Sequence, residues 1–374
     1  MKQIFFCVNY PKYNEAIGIS KKIKSQIEAF KGLGYEVTYS AYSEESILIY
    51  KNDKIDFEYK YPTLTLLSVL RRFYLMSACE KYLHSHHYDM AYIRWDAIDV
   101  SFLKVLRMLR KQCGKVLMDF HGYFPKMKAI GIKGKYIVYT TKINGHKLKK
   151  YVDYGLTETK NNKLFGINVM PIDTGIDLSK YMPHHYCGNK DELHMISVAN
   201  ETIYHGYDRV IYGLYDYYQL TKSSNVHLHL VGKMTEKTID LVNKLNLQKL
   251  VHLHGYKSGA DLQNIYNMCN IGIGPLAPHR VGGKEGTGIK TKEYFAIGLP
   301  YFYAGTELLV PDNYPYVFNV PSTDSPIDIQ SVVSFYNGIE KKDQMVEDMR
   351  NFTKQKFSWK VIFDNTIKNI YRLK

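Results

Sequence analysis

Short apolar runs alternate with longer amphipathic stretches along the chain, the pattern of strand–helix units feeding a mainly parallel sheet. In the first half, residues 4–8 read as a buried strand, 20–33 as an amphipathic helix closed by Gly34, and 36–40 as the next strand. Two apolar runs, 47–49 and 55–59, flank Lys51-Asn52-Asp53-Lys54 and predict a hairpin. A helix over 64–84, a strand at 90–95, a helix at 101–110 and a strand at 115–120 follow, and then a lysine-rich segment read as mostly helical. A further strand closes near Val169, and residues 176–191, with Pro183, His184, His185 and Gly188, read as a linker. The alternation then restarts, with strands expected at 195–199, 226–231, 250–253, 271–273 and 301–303, and helices at 207–220, 236–245, 260–268 and 289–297. The reading is an α/β fold of two Rossmann-like domains facing each other across a cleft, an amino-terminal one over 1–175 and a carboxy-terminal one over 192–350. A final helix within 351–374 is expected to return to the first domain.

Composition agrees with this and narrows the function classes. At 374 residues the chain suits two domains, and 23% charged with 45% hydrophobic residues excludes wholesale disorder, collagen-like repeats and coiled coil. The 34 tyrosines suit stacking on sugars or bases, or reflect compositional bias alone. The +14 net charge is uneven: residues 1–175 hold 28 basic and 16 acidic groups, the remainder 22 and 20. Lys126, Lys128, Lys133, Lys135, Lys142, Lys147, Lys149 and Lys150 follow one another with no carboxylate between Phe120 and Val152. Such a stretch suits an anionic surface, phospholipid or nucleic acid, or is a solvated helix face. Nucleic acid is not expected as a partner, because no recognised binding module accompanies the lysines.

Five dispersed cysteines (7, 79, 113, 187 and 269) form no metal or redox motif and read as thiols in a reducing compartment. His84, His86 and His87 lack a neighbouring carboxylate and read as surface histidines. No apolar run is long enough to span a bilayer, and the opening Ile4-Phe5-Phe6-Cys7-Val8 is too short for a signal-peptide core. The expected location is the cytoplasm, including the inner face of the cell membrane.

The segment richest in chemistry runs from Gly282 to Pro300, where glycines lead into a helix that a strand follows at once. A glycine-led helix start offers unpaired N–H groups and the positive dipole end, a setting for a diphosphate. Its glycine spacing matches neither the P-loop nor the dinucleotide fingerprint. Glu285 and Glu293, with seven residues between them, would lie about 12 Å apart along one side of the helix entrance, suiting a sugar at one end and a ribose at the other.

The Glu-x7-Glu spacing, ending in Glu293-Tyr-Phe-Ala-Ile-Gly-Leu-Pro, resembles the signature of retaining GT-B glycosyltransferases of family 4, of the bacterial capsular and exopolysaccharide kind. Gly18 with its helix and Gly34-Tyr35-Glu36-Val37 resemble the opening glycine loop and second-strand start of that family, and Asp119-Phe120-His121-Gly122 falls where it places an active-site histidine. Pro171 to Asp177 resembles its hinge, and Ser197 to Arg209 its first strand-to-helix turn in the second domain. The resemblance implies transfer, with retention and without a metal or other cofactor, of a sugar from a nucleotide-sugar donor. A UDP-sugar is the expected donor, a glycan or lipid-linked molecule the acceptor, and cell-envelope polysaccharide synthesis the setting. The absence of a DxD motif agrees with metal independence.

Glu285 and His121 are then the catalytic candidates, and Gly18, Asn200, His205, Lys233, Gly286, Thr287, Gly288, Lys290 and Glu293 the donor-binding ones. Where the family commonly carries Arg and Lys after the first strand of the second domain, this chain has Asn200 and His205. Lys233, Arg280 or Lys290 could supply the missing charge, with Lys290 preferred for its place in the glycine–helix segment. The alternative is a non-catalytic GT-B subunit that binds glycan or stabilises a partner transferase.

Overall fold

A computed structural model describes residues 2–12, 18–43, 45–62, 68–120, 131–157, 161–282, 288–307 and 309–372. It divides into two compact units, Met1–Asp173 with Trp359–Lys374, and Thr174–Ser358.

The first unit runs β1 (Lys2–Cys7), α1 (Gly18–Gly32), β2 (Tyr35–Tyr42), β3 (Ser46–Lys51), β4 (Lys54–Lys60), α2 (Ser68–Leu83), β5 (Tyr88–Arg94), α3 (Val100–Gln112), β6 (Cys113–Asp119), α4 (Gly131–Asn144), β7 (Tyr154–Thr157), β8 (Lys163–Leu164) and β9 (Ile167–Pro171). Among the described residues these strands form one sheet in the order β4-β3-β2-β1-β5-β6-β7-β9-β8. Neighbours from β2 through β9 pair in parallel, while β3, β4 and β8 add antiparallel edges. Continuous apolar runs such as Ile4-Phe5-Phe6 are buried because helices cover both faces of the sheet. The β3–β4 hairpin turns through Asn52 and Asp53 at φ of 51° and 62°, the left-handed pair that a tight two-residue turn requires.

The second unit runs β10 (Leu193–Val198), α5 (Tyr207–Thr221), β11 (Val226–Val231), α6 (Glu236–Lys244), β12 (Val251–Gly255), α7 (Gly259–Met268), β13 (Ile271–Ile273), α8 (Ile289–Ile297), β14 (Tyr301–Ala304), β15 (Val317–Val320), α9 (Ile329–Asn337) and α10 (Lys342–Phe352). Its strands are ordered β12-β11-β10-β13-β14-β15, and every pair is parallel. This is the 3-2-1-4-5-6 order of nucleotide-binding sheets, with the chain reversing direction across the sheet between β10 and β13. Ligands of such sheets bind at the carboxyl ends of the two strands flanking that reversal. Tyr294 of α8 ties the pair together there, its hydroxyl donating to Ile196 O and Ile273 O, each at 3.1 Å.

Two stretches differ from, or add to, the sequence reading. Residues 176–191, expected as a linker, are packed into the second unit. Ile176 N donates to Phe357 O, His184 N to Ile297 O, and the buried His184 ring meets the carbonyls of Tyr266 and Cys269. Its proline, histidines and glycine are loop residues, but their backbone polar groups are satisfied by α7, α8 and the end of the unit. After α10 the chain re-enters the first unit as α11 (Trp359–Arg372), where Phe363 lies 4.3 Å from the Phe30 ring of α1. Among the described residues no helix is long and apolar enough to cross a membrane.

Candidate active site

The glycine-led helix begins where the sheet reverses. Gly288 caps α8, whose first turn carries no acidic residue, so its free N–H groups and positive dipole end are uncompensated by the helix itself. One residue into α8, Lys290 turns inward: its Nζ donates to Ser197 Oγ, 2.9 Å away at the carboxyl end of β10, and lies 5.7 Å from the Tyr207 ring centre. Ser197 Oγ in turn is 2.9 Å from Tyr207 Oη at the start of α5. Burial strips solvent from the Lys290 ammonium and brings its pKa down to about 7, a shift the Glu293 carboxylate one turn later opposes. A lysine with a pKa near neutrality, at the carboxyl end of a doubly wound sheet, can gain a proton when an anion arrives.

The other candidates around β10 divide by what already engages them. Asn200 Oδ1 accepts from Lys233 N at 2.9 Å, which joins the loops after β10 and β11 and leaves the Lys233 side chain exposed at the carboxyl edge. His205 is buried, and its Nδ1 accepts from Thr202 N. Desolvation and the Lys290 charge hold its pKa down to about 3, so it is neutral and cannot replace an arginine as a phosphate cation. Gly206, at φ 64°, lets the chain turn from His205 into α5; a Cβ there would come 3.0 Å from that of Ala277. Arg280 grips Asp208 with two bonds of 2.8 and 2.7 Å and Asp324 with a third of 2.7 Å. Its fork is therefore committed to protein carboxylates, which leaves Lys290 and Lys233 as the cations of this edge named by the sequence.

Glu293 accepts a 2.9 Å hydrogen bond at Oε1 from the hydroxyl of Tyr181, a residue in the stretch expected as a linker. Glu293 is partly exposed. Lys292, between Lys290 and Glu293, is fully buried against Glu307 and lies 4.6 Å from the Phe357 ring centre. Sequence reasoning had quoted the segments holding Ser197, Tyr207 and Lys292 but named none of these, nor Tyr181 or Glu307, as a site residue.

Glu285, Gly286 and Thr287 fall outside the described residues, as does His121. His121 follows β6, where the buried Asp119 accepts from Tyr92 Oη at 2.5 Å. Gly18, in the first unit, opens α1. The structure thus brings Lys290, His205, Asn200, Lys233, Gly288 and Glu293 to one unit, around the carboxyl end of β10 and the start of α8.

Residues 188–305 match the family model described as Glycosyl transferases group 1. No curated protein sequence matches the chain. Among solved structures it is similar to sucrose-phosphate synthase from Thermosynechococcus elongatus, at TM-score 0.69 and 14% identity, covering 100% of this chain and 99% of that one. It is also similar to the catalytic domain of starch synthase IV from Arabidopsis thaliana bound to ADP and acarbose, at TM-score 0.65 and 9% identity, covering 100% and 99%. A third is HepE from Anabaena in complex with UDP and glucose, at TM-score 0.58 and 12% identity, covering all of both chains. The chain therefore has the two-domain α/β fold of GT-B glycosyltransferases, with a glycosyl transferases group 1 match over the part of the second unit that holds Lys290 and Glu293.

Proposed function

We propose that the chain is a retaining glycosyltransferase, of the family 4 and capsular kind that its sequence resembles. It moves a sugar from a UDP-sugar to a glycan or lipid-linked acceptor in cell-envelope polysaccharide synthesis, with no metal in the transfer step. The observation that carries this is Lys290, held by α8 at the carboxyl end of β10 with Glu293 one turn behind it. The α8 N-terminus and Lys290 stabilise the charge of the departing nucleoside diphosphate. Glu293 accepts the ribose hydroxyls, Glu285 holds the donor sugar, and His121 contacts that sugar.

HepE in its complex holds UDP, whereas the starch synthase domain holds ADP, so the base is tested directly. Thermal shift with a panel of sugar nucleotides is expected to single out a UDP-sugar, because a ligand of the folded state raises apparent stability. Release of UDP from that donor should then be measurable without acceptor. A folded protein that binds no sugar nucleotide and releases none would replace this reading with that of a non-catalytic subunit, which the missing Arg–Lys pair after β10 favours.

The two glutamates separate in such assays. Glu293→Ala should weaken UDP binding about 10- to 100-fold, the loss of charge-assisted hydrogen bonds. Glu285→Ala should lower kcat more than UDP affinity. Unchanged kinetics in both variants would remove them from the site.

The acceptor side is proposed to dock on an anionic membrane. Helix α4 exposes Ile132, Tyr139 and Ile143, at 91%, 64% and 48%, on one stripe, with Lys133, Lys135 and Lys142 exposed around them and Lys149 and Lys150 exposed just after. Lys126 and Lys128 lie outside the described residues. Each lysine near an anionic surface contributes about 1 kcal/mol, and salt screens the attraction. Co-sedimentation with vesicles containing phosphatidylglycerol should exceed that with neutral vesicles at low salt and fall when Lys142, Lys147, Lys149 and Lys150 become Gln. Binding indifferent to lipid charge or to these substitutions would point to a soluble acceptor.

A further inference from the structure

Five histidines alternate along three neighbouring strands of the second unit: His194 on β10, His227 and His229 on β11, His252 and His254 on β12. The parallel register pairs His194 with His227 and His229 with His252. Because residues two apart share a strand face, all five imidazoles stand on one face of the sheet. We propose that Glu192, His194 and His227 bind one divalent transition-metal ion of the zinc class, with His229, His252 and His254 as the layer that orients the two ligating rings.

The ligand atoms already converge. One atom from each of Glu192, His194 and His227 lies within 4.8 Å of the others, the one group among the described residues with this property. Glu192 Oε2 is 3.0 Å from His194 Nε2 and 3.9 Å from His227 Nε2. A tetrahedral ion with bonds near 2.0–2.1 Å sets its ligand atoms about 3.3 Å apart, so the two Glu192 distances lie within about 0.6 Å of that spacing. The two rings are stacked at 4.6 Å and 11°, which presents both Nε2 atoms to the same carboxylate.

The hydrogen bonds behind the ligands are compatible with that role. His194 Nδ1 is 2.8 Å from His229 Nε2, His229 Nδ1 is 2.9 Å from His254 Nε2, and His227 Nδ1 is 3.2 Å from His252 Nε2. Two proton orders satisfy all three contacts: with every proton on Nε2, His194 also donates to Glu192, and with every proton on Nδ1, each ring donates to the Nε2 behind it. The second order leaves the lone pairs of His194 and His227 facing the Glu192 carboxylate, three acceptors aimed at one point. A cation bound there selects that order, and an outer bond from the far ring nitrogen is how ligating histidines are held.

One carboxylate and two imidazoles without thiolate suit zinc, cobalt, nickel or copper more than calcium or magnesium. Glu192 is about one-third exposed and the two rings about one-seventh, so an ion can enter and water can complete its coordination. The site lies at the amino ends of β10 and β11. His194 lies three positions along the strand, about 10 Å, from Ser197 beside Lys290, so the ion serves the stability of β10 and β11 and takes no part in sugar transfer.

The test uses the full chain, stripped with chelator and titrated with zinc by calorimetry and with cobalt by visible absorption. One equivalent of zinc is expected, with a tetrahedral cobalt spectrum and a rise in melting temperature. Glu192→Gln, a change at a partly exposed position, and His227→Gln should each weaken zinc at least about tenfold, and His252→Gln about 10- to 100-fold. A variant carrying His84→Gln and His87→Gln should bind as the parent does. Absence of stoichiometric uptake, uptake unchanged in both Glu192→Gln and His227→Gln with circular dichroism showing them folded, or loss in the His84/His87 variant would overturn the proposal.

Discussion

Lys290→Met is expected to lower kcat/KM for the nucleotide-sugar about 10²- to 10³-fold, the cost of removing one preorganised charge-stabilising group, while making the protein more stable at pH 6. Both effects have the same origin. The ammonium is buried beside Ser197 and the Tyr207 ring, and its folded pKa of about 7 lies below the ~10.4 of a lysine in the unfolded chain. Between those values the unfolded state binds more protons, so stability rises with pH. The contribution is complete above the unfolded pKa and is lost as pH falls through 7, where the fold must bury a charge. Methionine fills similar space without that charge, so its advantage should be largest at pH 6 and shrink towards pH 10.

Ligand binding has the opposite sign. A diphosphate favours protonated Lys290, so UDP affinity should fall as pH rises above 7 in the parent and be flat in Lys290→Met. Calorimetric titration with UDP and with uridine from pH 6 to 9 checks both points, since only UDP carries the diphosphate. Equal losses for the two ligands would mean instead that the glycine segment had collapsed.

This site was legible where local chemistry sets it. Helix α8 falls at 289–297 as expected, because glycines bound it on both sides: Gly288 caps it and Gly298 ends it at φ 83°. Strand β11 likewise keeps its expected limits, being one apolar-rich run between polar loops. What stayed hidden was assembled across the sheet. Lys290 meets Ser197 from 93 residues away, and Tyr181 meets Glu293 from 112. No periodicity announces such pairs, and α8 is buried nearly all round, so its lysines do not mark a polar face.

The histidines illustrate the same limit differently. The alternation His227-x-His229 and His252-x-His254 is visible in the sequence, but their meeting depends on the parallel register of β11 with β12 and β10. The lone cluster His84, His86 and His87 is closer in sequence and less organised in space: His86 is bonded to the Tyr82 carbonyl, while the other two are exposed.

The largest effect on stability is expected at Glu307. Lys292 and Glu307 form an ion pair with side chains 0% and 1% exposed, and Lys292 also faces the Phe357 ring. Both charges have left water, so each depends on the other far more than a surface pair would. Glu307→Ala removes this carboxylate from a buried ammonium and should cost about 3–5 kcal/mol, a large share of the 5–15 kcal/mol that typically holds a domain together. Replacing both partners with apolar residues of similar size, Lys292→Met with Glu307→Leu, removes the desolvated charges together and should recover most of that loss. Urea unfolding of the parent, the two single variants and the double variant gives the coupling directly. The pair also fixes the helix that carries Lys290 and Glu293, so the single variants should lose UDP affinity along with stability and the double variant should regain both. A loss below about 1 kcal/mol for Glu307→Ala, or a double variant no better than the singles, would show that α8 is held by its apolar neighbours and not by this pair.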